Sequence, residues 1–265
     1  MNALRNPWHI SLVILLIWIF VLMWAESLPF IVHHMSLAQH IGSHISLWEF
    51  VSIIFVSGTI FYLKWWPQVG LKGIQTGKVE DFFALKYWNI HLLWPPALFL
   101  LIMLLLVLYK GLPPNPMLIT IIINTMMIGI FEELMFRGIL LYGASSSFGT
   151  WRAVWITAII FGSIHILNGF ITGDFISSTV QAFSAFVFGF WIAALRIRLD
   201  TIITGIIIHW VWDCLDFLLV PQKLVPFKPS GLLFLLPFSL LFFYYGFRLL
   251  KNGSVAKNQS ILQNR

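Results

Sequence analysis

The strongest constraint on the fold of this chain is a set of three ionisable side chains inside a long apolar segment. Residues 117–142 are apolar apart from a few small polar side chains and the charged Glu132, Glu133 and Arg137. A charge at the centre of a membrane-spanning helix is disfavoured by about 2.5–3.5 kcal/mol on insertion scales. These three side chains must therefore face a protein interior or water, and we expect partners for them on other helices.

The composition places the chain in a membrane. Hydrophobic residues make up 59% of it, charged residues only 10%, and the mean hydropathy is +0.89, which excludes a soluble domain of this length. The sequence predicts an all-α polytopic transmembrane helical bundle of about eight spans, each long enough to cross a hydrocarbon core of about 30 Å. The predicted spans are residues 8–29, 46–66, 90–109, 117–143, 152–169, 176–195, 202–220 and 231–249.

The domain organisation is predicted to be simple. Residues 1–265 are expected to form a single membrane domain whose motif-bearing core covers residues 117–220. Residues 251–265 are polar and are predicted to be a mobile cytoplasmic tail. The two halves show no internal repeat, which counts against many transporter folds.

The distribution of basic residues predicts the orientation. With the N-terminus inside, the inner segments hold twelve of the sixteen Lys and Arg residues, whereas the outer loops hold Lys110, Lys223 and Lys228 and one span holds Arg137. Basic loops stay on the cytoplasmic side, so both termini are predicted to be cytoplasmic in a multi-pass protein of the cell membrane. The net charge of +6 follows from this bias and from attraction to anionic lipid, and gives no reason to expect nucleic-acid binding.

Helical spacing predicts how the charged groups are arranged. Glu133 and Arg137 are four residues apart and so share one helix face, where they can pair. Glu132 is rotated by about 100° from Glu133 and is left for a partner on another helix. Two later runs carry pairs at the same spacing: Phe161 with His165, and His209 with Asp213. The small residues Gly162 and Gly205 allow close helix approach, so we expect three helices to converge on one polar pocket.

These residue types indicate hydrolysis of an acyl bond. A buried glutamate such as Glu132 can act as a general base on a water molecule shared with His165. His209 could donate to the developing oxyanion, with Asp213 fixing its ring or donating if protonated. Ser163 and the single cysteine, Cys214, have no defined base beside them, so a serine or cysteine nucleophile is not indicated.

The three groups of residues resemble the motifs of a known family. Glu132-Glu133 with Arg137, Phe161 with His165, and His209 with Asp213 resemble the ordered motifs EExxxR, FxxxH and HxxxN or HxxxD of the type II CAAX prenyl protease and bacteriocin-processing (CPBP, or Abi) membrane endopeptidases. The resemblance covers roughly residues 129–216, about a third of the chain. Asp213 stands where many members of the family have Asn.

The resemblance implies a helical membrane fold and a role for each motif residue. Glu132 would be the catalytic glutamate, His165 would help to activate water, and His209 with Asp213 would stabilise the oxyanion. The supporting residues would be Glu133, Arg137 and Phe161. No metal or other cofactor is implied, and the expected partners are a peptide or membrane-protein substrate and the lipid bilayer.

Three other interpretations of the same residues stay open. Two histidines and a carboxylate are also a familiar zinc set, although the chain lacks HExxH. A non-enzymatic immunity or scaffold protein could keep the polar core for stability. Proton-coupled transport through the Glu and His side chains is a third possibility.

Overall fold

The computed structural model describes residues 6–33, 41–71, 90–219 and 239–251, which form helices and turns without a β-strand. The all-α prediction is therefore confirmed for these residues. In chain order the helices are α1 (Pro7–His33), α2 (Leu47–Tyr62), α3 (Trp66–Val69), α4 (Ile90–Lys110), α5 (Asn115–Glu133), α6 (Leu141–Phe148), α7 (Thr150–Ile164), α8 (Asn168–Thr172), α9 (Phe175–Leu199), α10 (Ile203–Leu219) and α11 (residues 239–251).

Several of these helices are membrane-spanning candidates. Within the described ranges, three helical stretches are long and apolar enough to cross a membrane: Asn115–Phe148, Thr150–Phe170 and Phe175–Leu199. Shorter apolar helices cover Pro7–Val21, Leu47–Tyr62 and Pro96–Lys110. These helices are those of a membrane protein, whereas the count of eight spans and the cytoplasmic placement of both termini stay predictions.

Some predicted features lie outside the described residues. The predicted tail is described only at residue 251, and the predicted last span, residues 231–249, only from residue 239. The connection that follows α2 is described as far as residue 71, and it contains the short helix α3.

Helix α5 lies at the centre of the packing. It packs against α2 on one side and α10 on another, while α7 packs against α9 and α6, and α1 packs against α6. The ring of Trp18 in α1 lies 5.7 Å, between centroids, from the rings of both Phe131 and Phe136. Between α10 and α5, the indole N–H of Trp210 donates to the backbone carbonyl of Ile122 at 3.1 Å. An aromatic contact therefore joins α5 to α1, and a hydrogen bond joins it to α10.

A π-helical segment joins α5 to α6. Residues Leu134–Leu140 form this wider turn, and all seven residues are buried. The segment begins directly after Glu133 and contains Arg137, which are two of the predicted site residues. Single π turns inside α-helices occur frequently at functional sites. The sequence predicts one regular helix here, because periodicity alone does not reveal the wider turn.

Two glycines determine how α7 is placed. Gly149 has a φ of +76°, a conformation that other residues rarely adopt, and it ends α6 before α7 begins. An ideal Cβ built on Gly162 would lie 2.7 Å from the carbonyl oxygen of Ala182 in α9. The backbones of α7 and α9 therefore approach closely at Gly162, which confirms the prediction made from its size.

A buried asparagine ties the start of α2 to the middle of α5. The side-chain amide of Asn124 donates to the carbonyls of Ile41 and His44, each at 2.8 Å. Its side-chain oxygen accepts from the backbone N–H of Ser46 at 3.0 Å, and the residue is fully buried. Asn124 therefore satisfies three backbone groups that precede α2.

We expect Asn124→Leu to lower the free energy of unfolding by at least about 2 kcal/mol, because each buried backbone group left without a partner costs about 1–3 kcal/mol. The measurement is denaturant-induced unfolding of the purified protein in detergent. The control is Thr120→Val, which removes a hydroxyl that donates to Pro116 within the same helix. An Asn124→Leu protein as stable as this control would contradict the expectation.

Candidate active site

The two glutamates lie at the middle of the longest helical stretch. In the 34-residue stretch Asn115–Phe148, seventeen residues precede Glu132 and sixteen follow it. A helix rises about 1.5 Å per residue, so both ends of this stretch are more than 20 Å away along the axis. Glu132 and Glu133 are therefore as far from the ends of this membrane-spanning candidate as its length allows.

Glu133 has two partners on the same oxygen. Its Oε1 lies 2.8 Å from Nη1 of Arg137 and 2.9 Å from Nδ1 of His209, and the side chain is fully buried. An ionised carboxylate only accepts hydrogen bonds, so Nδ1 of His209 carries the proton and donates it. The predicted pairing of Glu133 with Arg137 is present, and the contact with His209 is an addition that helical spacing did not reveal.

Arg137 is held by charge and by an aromatic ring. Its Cζ lies 4.1 Å from the centre of the Phe161 ring, a cation–π contact. Nη1 is at ion-pair distance from Glu133, but neither Nη1 nor Nη2 has a hydrogen bond of good geometry to a described residue. An ideal Cβ on Gly189 of α9 would lie 3.1 Å from Nη2, so a glycine at this position leaves room for the guanidinium.

The second ring nitrogen of His209 faces two carboxyl groups. Nε2 lies 3.6 Å from Oε2 of Glu132 and 3.5 Å from Oδ2 of Asp213. These separations are longer than those of hydrogen bonds but short enough for strong charge interaction. The partner expected for Glu132 on another helix is thus His209. Glu132, Glu133, Arg137, His209 and Asp213 together form what we call the cluster. The side chain of Glu132 is 14% exposed and that of Asp213 is 20% exposed, whereas that of His209 is 5% exposed. The carboxyl groups of Glu132 and Asp213 are therefore its accessible part.

Glycines bring α5 and α10 close enough for these contacts. An ideal Cβ on Gly205 would lie 2.9 Å from Oε2 of Glu133, and one on Gly129 would lie 3.1 Å from the backbone nitrogen of Trp210. The prediction that Gly205 allows close approach is confirmed. Gly129 does the same from the opposite helix, and its position one turn before Glu133 is the sequence signal that could have revealed it.

Phe161 connects His165 to the cluster. Nδ1 of His165 lies 2.7 Å from the carbonyl oxygen of Phe161, which can only accept, so Nδ1 donates and Nε2 is the acceptor nitrogen. The Phe161 ring centre is 4.9 Å from that of His165 and 6.0 Å from that of His209. Phe188 of α9 contacts the His209 ring as well, at 5.1 Å between centroids. The water shared by Glu132 and His165 stays a prediction.

Two further side chains follow Asp213 in α10. Asp216, one turn after Asp213, is exposed, and Cys214 is a free thiol of intermediate exposure. Among the residues with described positions, no group of three or more His, Cys, Asp or Glu side chains has the arrangement that holds a metal ion.

Comparison with known proteins gives a similarity to one family. Residues 113–215 match a protein-family model. It describes type II CAAX prenyl endopeptidase, Rce1-like. The match confirms the family resemblance of the three motifs, and all seven motif residues fall inside the matched range. No curated protein matches the chain, and no solved structure matches it. The similarity to a type II CAAX endopeptidase therefore rests on the region that builds the cluster.

We expect Arg137→Leu to lower the free energy of unfolding by about 3–5 kcal/mol, because it leaves the buried Glu133 carboxylate without its cation. Adding Glu133→Gln to this variant should restore part of the loss, since the amide oxygen can still accept from His209 without a charge. Unfolding in detergent measures both variants.

The control for this pair is Arg152→Leu, which removes an exposed arginine from the start of α7. A double variant less stable than Arg137→Leu alone would show that the buried charge is not the cause of the loss.

Proposed function

We propose that the protein is an intramembrane endopeptidase that hydrolyses peptide bonds of membrane-associated peptides or proteins with a water molecule activated by Glu132. One observation carries the proposal. The partly exposed Glu132 carboxyl faces Nε2 of the buried His209, whose Nδ1 is held by Glu133, at the middle of a membrane-spanning candidate. Such an endopeptidase would be a multi-pass protein of the cell membrane, with both termini cytoplasmic.

In the proposed reaction, Glu132 is the general base. Its carboxylate takes a proton from water, and the remaining hydroxide attacks the carbonyl carbon of the scissile bond. His165 would hold the same water through Nε2, since its Nδ1 is occupied by the Phe161 carbonyl. When the C–N bond breaks, the proton passes to the departing amine, so that the products are a carboxylate and an amine.

The oxyanion is stabilised in this proposal by His209 and Asp213. The Nδ1–H group of His209 donates its hydrogen bond to Glu133. A second N–H, on Nε2, is therefore present for the oxyanion only when the ring is doubly protonated. Two cations, Arg137 and the His209 imidazolium, then balance the carboxylates of Glu133 and Glu132. Asp213, as the third carboxyl group, would carry a proton and donate it to the oxyanion, as the amide of an Asn would.

The main test is cleavage of membrane-associated peptides by the purified protein in liposomes. Glu132→Gln and His165→Ala should each lower turnover by about 100-fold or more, because the first removes the general base and the second removes the group that holds the water. The matched control is Glu49→Gln, which changes another buried carboxyl group, 2% exposed, in α2. Turnover that survives Glu132→Gln would rule out Glu132 as the base.

The same assay separates the alternatives. A chelator should leave turnover unchanged if catalysis is metal-independent, whereas loss with chelator and recovery with zinc would favour a zinc-dependent hydrolase. Absence of wild-type turnover on every peptide, together with an immunity phenotype that survives Glu132→Gln, would favour the non-enzymatic immunity or scaffold role.

Asp213→Asn should retain at least about one third of wild-type turnover, whereas Asp213→Ala should lose about 100-fold, as removal of an oxyanion donor does. The control is Asp216→Asn, one turn further along α10, which we expect to be as active as wild type. An Asp213→Asn protein as inactive as Asp213→Ala would contradict the donor role, since it would show a need for the carboxyl group itself.

A further inference from the structure

A second buried cation, Arg196 near the end of α9, holds a segment that precedes the site by more than 60 residues. Its Nη2 donates to the carbonyl of Gln68 at 3.0 Å and its Nε to the carbonyl of Val69 at 3.2 Å. Nη1 lies 3.4 Å from Oδ1 of Asp200, and Arg196 is 9% exposed. The guanidinium therefore fastens the end of α3 to the end of α9.

The same turn is fastened to the start of α10. The carbonyl of Gly70 accepts from the backbone N–H of Ile202 at 3.0 Å. Gly70 has a φ of +80°, and any Cβ at this position would overlap the Arg196 guanidinium. The turn needs glycine for both reasons. We call residues 68–70 with Arg196 and Ile202 the Arg196 clasp.

The Arg196 clasp packs against the π-helical segment at Gly138. Val69 is fully buried, and an ideal Cβ on Gly138 would lie 2.7 Å from Cγ1 of Val69 and 3.6 Å from Cδ1 of Ile202. Gly138 follows Arg137 directly in the chain. The position of Val69 and Ile202 therefore limits where the backbone beside Arg137 can lie.

These contacts join the two elements that supply the partners of Glu133. Arg137 comes from the π-helical segment, which Val69 contacts at Gly138, and His209 comes from α10, whose start is tied to Gly70. Ile202 directly precedes α10, and His209 follows it by seven residues, about two helical turns, so the two residues lie on the same side of the helix axis.

We propose that Arg196 is a positioning residue that, through the Arg196 clasp, holds α10 against the π-helical segment and so sets the contact between Glu133 and His209. Any effect of Arg196 on turnover rests on the proposed peptidase function, but its effect on the His209 ring does not.

The first measurement is the ¹⁵N NMR spectrum of the His209 ring, assigned with His209→Gln, in the full-length protein in detergent. Arg196→Ala should shift the Nδ1 resonance that reports the hydrogen bond to Glu133, and Arg196→Lys should shift it less, because a lysine can still donate to one carbonyl. The control is Arg198→Ala, two residues further along α9. Val69→Ala should reproduce the shift without changing any charge.

The second measurement is turnover of the peptide cleaved by the wild type. Arg196→Ala and Val69→Ala should lower kcat by about 10- to 100-fold, as small displacements of catalytic groups do. KM should stay within about twofold, because no substrate contact is removed. The double variant should lose little more than the stronger single variant, since both act through one contact.

A His209 spectrum unchanged in both Arg196→Ala and Val69→Ala would overturn the proposal, as would losses that appear in KM alone. If the Arg196→Ala protein does not fold, the His209 spectrum and the kcat of Val69→Ala test the proposal in its place. If the wild type cleaves no peptide while the His209 resonance still shifts, the peptidase function fails and the positioning role stands.

Discussion

The organisation of this protein depends on one buried contact, in which a single oxygen of Glu133 meets both Arg137 and Nδ1 of His209. A carboxylate in an apolar interior requires compensation, and here a guanidinium and an imidazole N–H provide it from two different elements. Because His209 is held through Nδ1, its other nitrogen is directed at Glu132 and Asp213. The contact therefore joins the helix pair and leaves the carboxyl groups of Glu132 and Asp213 on its accessible side.

The close packing of helices makes this contact possible. In lipid, helices have no hydrophobic drive to associate, and small residues allow backbones and polar groups to meet. Gly205 gives room to the Glu133 carboxylate and Gly189 to the Arg137 guanidinium. Gly138 admits Val69 to the π-helical segment in the same way, so the space for charge and the space for the Arg196 clasp are created by glycines on three different elements.

The sequence predicts the class of fold and the residues that form the cluster. It predicts only some of the contacts between those residues. Apolar runs and four-residue spacing were sufficient to predict helices and the pairing of Glu133 with Arg137, since both depend on local geometry. The contact of Glu133 with His209 was missed, because periodicity does not say which of two adjacent glutamates meets another helix. The π turn and the Arg196 clasp were also missed, since they depend on contacts between residues far apart in the chain.

The most direct test of Glu132 catalysis is peptide cleavage in H₂¹⁸O with mass spectrometry of the products, comparing wild type with folded Glu132→Gln. Hydrolysis by Glu132-activated water predicts one ¹⁸O in the new carboxyl terminus for the wild type and no product above background for the variant. Product formed by Glu132→Gln at the wild-type rate would contradict the central role of Glu132.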